Sequence, residues 1–171
     1  VTQVMSNVEK RNMGAELGAD FKVLPTLSLQ GVASYGQYTY RNDPNVYFAS
    51  DAIGVFGNGQ SFVEFGKSNL KDYKQGGTPQ MAFSAGFRYN SPKYWWVGAN
   101  WNYLDNNYLD PSALLRSQSF VQNSNSGTPY ANADDAEMRR LLAPNKLPAA
   151  YFINANVGKS WLMGKYYLLI S

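Results

Sequence analysis

The chain has 171 residues, which is long enough for one domain with a sizeable core. Its 15 Lys and Arg against 12 Asp and Glu give a formal charge of +3 without a basic block, so a nucleic-acid partner is not expected. The chain has no Cys and no His, so it cannot by itself build a disulfide framework, a thiolate or imidazole metal site, or a Ser-His-Asp site. The charged fraction of 16% is well below the about 25% usual for soluble domains.

Apolar and polar residues alternate with a period of two in two neighbouring segments, 15–23 and 27–35. Such a period predicts β-strands with one apolar and one polar face. Only a short Leu-Pro-Thr segment separates the two strands, which predicts a hairpin. Residues 1–13 are too mixed to assign. The apolar series of the first strand consists of Ala15, Leu17, Ala19, Phe21 and Val23.

The same alternation occurs on both sides of Ser-Pro-Lys at 91–93, which predicts a second hairpin over 81–104. Two further strands are predicted over 151–160 and 166–171, so there are six candidate strands. One face of the 81–104 hairpin is predicted to contact lipid, and its members are Phe83, Ala85, Phe87, Val97, Ala99 and Trp101. The opposite face is predicted to line a wet lumen, and its members are Ser84, Gly86, Arg88, Gly98, Asn100 and Asn102.

The connections between the predicted strands alternate between short and long. Short turns are predicted at Pro25, Pro92 and Gly164, whereas segments 42–79 and 105–150 are each roughly 40 residues long. Compact soluble domains seldom contain such long connections. Short periplasmic turns that alternate with long extracellular loops are typical of outer-membrane barrels. The turns are therefore predicted to lie in the periplasm and the long loops on the cell exterior.

The long loops carry signals for local structure. Asp110 followed by proline predicts a capped helical turn over 110–116. Asp134 with Glu137 resembles a capping box before a helix over 138–142. The aromatic residues of the loops are predicted either to contact a ligand or partner or to pack the loops against each other, and they include Tyr47, Phe48, Phe56, Tyr73 and Tyr130.

The apolar face of the predicted sheet could meet lipid or a second sheet, and three observations favour lipid. The polar face is rich in Gly, Ser and Asn rather than in charged residues. Bulky aromatics crowd both ends of the strands, as in the two aromatic girdles of a membrane barrel. The strand over 27–41 could extend about 50 Å at about 3.3 Å per residue, which is longer than a bilayer requires. The sequence thus predicts an all-β chain of antiparallel strands from a large transmembrane β-barrel.

Six strands are too few to close a barrel of this kind, for which about eight is the usual minimum. The chain starts at Val1 and stops at Ser171 inside an apolar run. We therefore expect residues 1–171 to be a partial barrel domain of a longer bacterial protein in the outer membrane, without a plug domain. Outer-membrane lipid and the rest of the same barrel are the expected partners.

Eight short motifs occur along the chain in one order. They are ELG at 16–18, PTLSL at 25–29, GQYTYRNDPNV at 36–46, GTPQ at 77–80, YWWVGAN at 94–100, NYLD at 107–110, SALLR at 112–116 and VGKSW at 157–161. The ordered set resembles the C-terminal part of the barrel of TonB-dependent outer-membrane receptors. The similar branch of that family carries an N-terminal carboxypeptidase-regulatory-like domain. The resemblance spans nearly the whole chain.

The resemblance implies a barrel of about 22 strands around a plug domain. Such receptors take up scarce nutrients, such as siderophores, glycans, peptides or cobalamin, with energy delivered by TonB. TonB would be reached through an N-terminal part that this chain does not contain. A surface lipoprotein over the long loops is a further candidate partner.

Two other interpretations stay open. The chain could belong to a passive porin or to a structural barrel subunit of an envelope complex, and a plug domain with a TonB box would argue against both. It could also be a soluble carbohydrate-binding β-sandwich with Trp and Tyr as sugar platforms, which would fold in water without detergent. None of these interpretations includes a catalytic residue, a cofactor or a metal site, so the chain is not expected to be an enzyme.

Overall fold

A computed structural model describes residues 2–52, 59, 61–123, 126–131, 133–163 and 166–170, and for 162–163 and 166–169 only the backbone. The strands in these residues are β1 (Thr2–Ser6), β2 (Lys10–Leu24), β3 (Leu27–Tyr40), β4 (Asn45–Ala49), β5 (Phe62–Lys67), β6 (Met81–Asn90), β7 (Trp95–Asp105), β8 (Ala150–Met163) and β9 (Tyr166–Ile170). The helices are a 3-10 helix (Leu114–Arg116), α1 (Gln118–Val121) and α2 (Asp135–Leu141). No helix among the described residues is long and apolar enough to cross a membrane.

The chain divides into two compact units. The sheet unit comprises Gly14–Gly36, Pro79–Asn107 and Leu147–Ser171. The loop unit comprises Val1–Met13, Gln37–Thr78 and Tyr108–Lys146. The two segments that the sequence predicted as long loops supply most of the loop unit.

The sheet unit is built on one six-stranded sheet in the order β2-β3-β6-β7-β8-β9. The pairings from β3 to β9 are antiparallel, and β2 and β3 are joined by a two-residue turn at Pro25 and Thr26. All six predicted strands are present, and the predicted antiparallel all-β class is confirmed. The sheet is open rather than closed, because β2 and β9 are its two edge strands.

The predicted turn at Pro92 is also confirmed, and its geometry fixes where β7 begins. The N–H of Ser91 donates to the carbonyl of Trp95 at 2.8 Å, and the N–H of Tyr94 donates to the carbonyl of Ser91 at 3.1 Å. Tyr94 has φ of 61°, a left-handed conformation that is uncommon for a residue with a side chain. An extended strand cannot include that conformation, so β7 begins at Trp95. The predicted turn at Gly164 lies outside the described residues.

The loop unit contains more structure than the sequence predicted. Strand β4 pairs antiparallel with both β1 and β5, which gives a three-stranded sheet. The buried hydrophobic core of the unit consists of Tyr40, Val46, Leu70, Tyr73 and Ala113. The three strands were missed because each has only five or six residues, and the β4–β5 register shifts between Asn45 and Tyr47. A register shift interrupts the alternation on which strand prediction depends.

The helix start predicted at Asp134 is confirmed. Its carboxylate accepts a hydrogen bond from the N–H of Ala136 at 3.2 Å, and α2 begins at the next residue, Asp135. Glu137 binds Arg140 instead of reaching back to the start of the helix, with N–O distances of 2.6 and 2.8 Å. The hydrogen bond from Arg140 holds the pKa of the Glu137 carboxyl below its usual value.

The cap predicted at Asp110 is wrong. A helical turn does occur in this segment, but it starts at Leu114 and has no side-chain cap. The Asp110 carboxylate accepts a hydrogen bond from the N–H of Gly76 at 2.9 Å. A carboxylate oxygen is a strong acceptor for any nearby backbone N–H, and here the partner is distant in sequence.

Candidate functional site

The candidate site is the six-stranded sheet itself, whose two faces differ in chemistry. Directly opposed residues of an antiparallel pair lie on the same face. Phe87 opposes Leu29 of β3 and Ala99 of β7, and Ala99 in turn opposes Ala155 of β8. The register therefore brings together on one face the six residues predicted to contact lipid, which are Phe83, Ala85, Phe87, Val97, Ala99 and Trp101.

Large apolar side chains on this face are exposed. Phe83 and Trp101 expose 39% and 44% of their surface, and on β8 Ile153 and Val157 expose 70% and 66%. No hydrophobic side chain in the described part of the sheet unit is buried. The apolar face thus has no core of its own. A contiguous exposed apolar surface of this kind marks a contact with a membrane or with another protein.

The opposite face is polar and carries the six residues predicted to line a lumen. One row across the strands runs from Gln30 through Gly86 and Asn100 to Asn154. The Gln30 amide donates to Asn100 Oδ1 at 3.4 Å across Gly86, which has no side chain to block the contact. Amide groups both donate and accept hydrogen bonds, so this face suits water or another polar surface. The six residues are Ser84, Gly86, Arg88, Gly98, Asn100 and Asn102.

Two further glycines on the polar face make room for side chains of the neighbouring strand. Trp96 opposes Gly158, and a Cβ atom built on Gly158 would collide with the indole ring. A Cβ atom on Gly98 would lie 2.9 Å from Asn156 Oδ1, since Asn156 leans over that glycine. The side chains of Trp96 and Asn156 therefore lie along the wall of the sheet instead of projecting from it.

Aromatic rings and one cation meet at the short-turn end of the apolar face. The rings of Tyr89 and Trp95 are 5.2 Å apart, and Lys159 Nζ lies 5.1 Å from the ring centroid of Trp161. Trp95 opposes Lys159 across β7 and β8, so all these residues belong to one end of one face. The sequence interpretation did not assign Lys159. Extending the alternating series of β8 by one more step beyond Val157 would have placed it there.

The other end of the apolar face also carries stacked aromatic rings. Tyr103 stacks on Phe83 and Trp101, with ring centroids 6.3 and 6.0 Å apart. Tyr151 of β8 opposes Tyr103 and continues the row. Aromatic residues therefore lie at both ends of the apolar face, with smaller apolar residues such as Ala99 between them.

The aromatic residues predicted as ligand or partner contacts mostly pack within the loop unit. Tyr47 stacks on Phe62 with ring centroids 5.2 Å apart, and Phe48 meets Phe65 edge-to-face at 5.1 Å. Tyr130 is exposed and remains accessible to a partner. Phe56 lies outside the described residues.

Tyr73 is buried between two guanidinium groups. Arg116 and Arg139 each lie 4.9 Å from the centroid of its ring, and its hydroxyl donates to the carbonyl of Arg139 at 3.2 Å. Arg116 in turn donates to the carbonyls of Ser112 and Leu142. Only 4% of Tyr73 is exposed, which removes its ring from the surface that a ligand or partner could touch.

The described residues contain no group of three or more acidic, His or Cys side chains that could hold a metal ion. No protein-family model, curated protein or solved structure matches this chain.

Proposed function

We propose that the six-stranded sheet is part of the wall of a bacterial outer-membrane β-barrel, with its apolar face against lipid and its polar face toward the lumen. The observation that carries the proposal is the row of exposed large apolar side chains that crosses the strands on one face, whereas Val32 and Phe152 are the exposed large apolar residues on the described opposite face of β3, β6, β7 and β8. In water such a face would be covered by a second layer of protein, as in a β-sandwich. The described part of the sheet unit has no second layer. In a bilayer, acyl chains cover the face.

The spacing of the aromatic residues supports a membrane setting. On β8, Trp161 follows Tyr151 by ten positions, and on β7, Tyr103 follows Trp95 by eight positions. At about 3.3 Å per residue these spans are about 33 and 26 Å along the strand. A strand tilt of about 40° reduces them to about 25 and 20 Å along the membrane normal, close to the about 25 Å apolar band of outer-membrane barrels.

The two open edges of the sheet require further strands to pair with them. Among the described residues, the edge strands β2 and β9 each carry a row of backbone N–H and C=O groups without a neighbouring strand. Hydrocarbon offers no hydrogen-bond partner, so an open edge is not stable inside a membrane. The proposal therefore includes further strands of the same barrel on both edges.

We further propose that the barrel is that of a TonB-dependent receptor, which imports a scarce nutrient of the siderophore, glycan, peptide or cobalamin class. This step rests on the order of the motifs along the chain. In this arrangement the loop unit faces the cell exterior, where a surface lipoprotein could contact it, and TonB acts from the periplasm. A passive barrel would share the lipid-facing wall but would not depend on TonB.

Cell fractionation tests the membrane part of the proposal. The complete barrel that contains this chain, produced in a Gram-negative host, should sediment with the outer membrane and resist extraction by alkaline carbonate. It should also migrate faster on a gel before boiling than after it, as folded barrels do. A protein that remains a folded monomer in water without detergent would contradict the proposal and support the β-sandwich.

Uptake in a strain without TonB tests the transport part. The expected result is loss of uptake of whichever nutrient the protein imports. Uptake that persists without TonB would leave the membrane barrel in place but would support a passive porin.

A further inference from the structure

Lys159 is an isolated cation on an apolar surface. It lies on the same face as Val157 and Trp161 of β8 and opposes Trp95 of β7. Among the described apolar-face positions of β3, β6, β7 and β8, the charged residues are Lys159 at one end and Asp105 at the other. Neither of the ion pairs found in the described part of the chain includes Lys159. Within the part of the chain that the structure describes, no ion pair explains the position of this charge.

The Lys159 side chain points toward the short-turn end of the apolar face. Its Nζ atom lies 5.1 Å from the ring centroid of Trp161, which is closer than Lys159 to the short turn. The ammonium group is thus directed away from the middle of the apolar face and toward its end. Lysines near the end of a membrane-spanning segment extend in this way to reach the headgroup region. Tryptophan rings are also enriched at that depth.

We propose that Lys159, with Trp95 and Trp161 beside it, binds the phosphate headgroup of a phospholipid in the leaflet on the short-turn side. This inference rests on the proposed membrane function. The ammonium group supplies three hydrogen-bond donors and a positive charge for the phosphate oxygens. The indole ring of Trp161 lies beside the ammonium group, and Trp95 opposes Lys159 across β7 and β8. Tryptophan rings are enriched at the level of the headgroups. The exposed side chains of Ile153 and Val157 continue from this point along the same strand, where they would contact the acyl chain.

The proposed ligand is a phospholipid and not a free anion, because the ammonium group of Lys159 and the apolar row beside it form one continuous surface. A free phosphate ion would use the ammonium group alone and would gain nothing from the apolar row beside it. A diacylglycerol would use the apolar row and leave the ammonium group without an anion. A phospholipid satisfies both parts of the surface.

Lipid binding to the protein purified in a non-ionic detergent tests the site. The probes are dioctanoyl-phosphatidylglycerol and dioctanoylglycerol, which is the same lipid without its phosphoglycerol headgroup. Bound molecules are counted by native mass spectrometry. The native protein should bind the phospholipid more tightly than the diacylglycerol. Lys159→Gln should weaken phospholipid binding about fivefold, the usual contribution of one basic residue at a lipid surface, whereas Lys159→Arg should retain it.

Lys22→Gln is the matched control. Lys22 lies near the same end of the sheet, on β2, but it alternates with the apolar series of that strand and so belongs to the polar face. This variant removes the same charge and should leave phospholipid binding unchanged. Added inorganic phosphate, at the concentration of the lipid, should not compete.

Several outcomes would overturn the inference. Equal binding of the two lipids by the native protein would do so even if Lys159→Gln failed to fold. Unchanged binding by Lys159→Gln, or an equal loss in Lys22→Gln, would show that Lys159 is not the site. Competition by inorganic phosphate would assign the residue to a free anion. If the protein still sediments with the outer membrane in any of these cases, only this inference fails and the proposed membrane function stands.

Discussion

Ala99 and Asn100 are neighbours on β7 whose side chains point to opposite faces of the six-stranded sheet. Ala99 lies four positions from both Trp95 and Tyr103, the aromatic residues at the two ends of its face. In the proposed barrel it is therefore close to the middle of the bilayer. An arginine at such a position costs about 2–4 kcal/mol, because the charge must reach the interface or draw water inward. Ala99→Arg should thus lower the folding equilibrium constant in membranes by about 30- to 1000-fold.

Asn100→Arg places the same charge on the polar face. The change removes the 3.4 Å hydrogen bond from Gln30, which is long and exposed and therefore contributes little. In the proposed barrel the longer side chain would extend from this face into a wet lumen. The cost should be under about 1 kcal/mol, as for an ordinary surface substitution.

Heat-modifiability of the protein in outer membranes reports both variants on one gel. The folded, fast-migrating band should be depleted for Ala99→Arg and retained for Asn100→Arg. If Asn100→Arg is the damaging change, the assignment of the two faces is inverted. If neither change reduces the folded band, β7 does not face lipid, and the reasoning from exposed apolar side chains is refuted.

Three further results are expected. Since the chain has no Cys, a thiol introduced by Ser126→Cys should react with a membrane-impermeant maleimide on intact cells. A thiol introduced by Lys93→Cys should react only after the outer membrane is broken. The reverse result would invert the topology. Gly158→Ala should destabilise the protein by about 1–3 kcal/mol in urea titrations, because its Cβ atom collides with the indole ring of Trp96, and Trp96→Ala should recover part of that loss. In an NMR titration, the carboxyl of Glu137 should have a pKa below its usual value. The pKa should return to the usual value when Arg140 is replaced by glutamine. The stabilisation from this pair is present above the usual pKa and is lost as pH falls through the lowered pKa.

The sheet unit could be predicted from the sequence because its strands are long and regularly alternating. Strand β6 keeps one apolar and one polar series over ten residues, and the Pro92 turn then fixes the register of the hairpin. Once the alternation of each strand is known, the assignment of residues such as Ala99 and Asn100 to opposite faces follows from the geometry of a strand. What the apolar face contacts depends on its surroundings, which alternation alone does not specify.

The loop unit could not be predicted because its contacts join residues distant in sequence. Asp110 is followed by proline, as a helix-capping residue often is, yet its carboxylate accepts a hydrogen bond from the N–H of Gly76. Tyr73 is an aromatic residue in a predicted loop and could have contacted a ligand, yet two arginines from later segments enclose its ring. Local patterns identify which groups can form a bond, whereas the fold decides which partner comes within reach.

The packing of Trp96 on Gly158 has a consequence for how this protein can change during evolution. The indole ring occupies the space that any side chain at position 158 would need, so Gly158 cannot be replaced freely while Trp96 stays. A larger residue at position 158 becomes acceptable only when position 96 has become small. Natural variants of the β7–β8 pair with a larger residue at position 158 should therefore carry a small residue at position 96. A protein library that varies both positions together should yield many more folded members than one that varies position 158 alone.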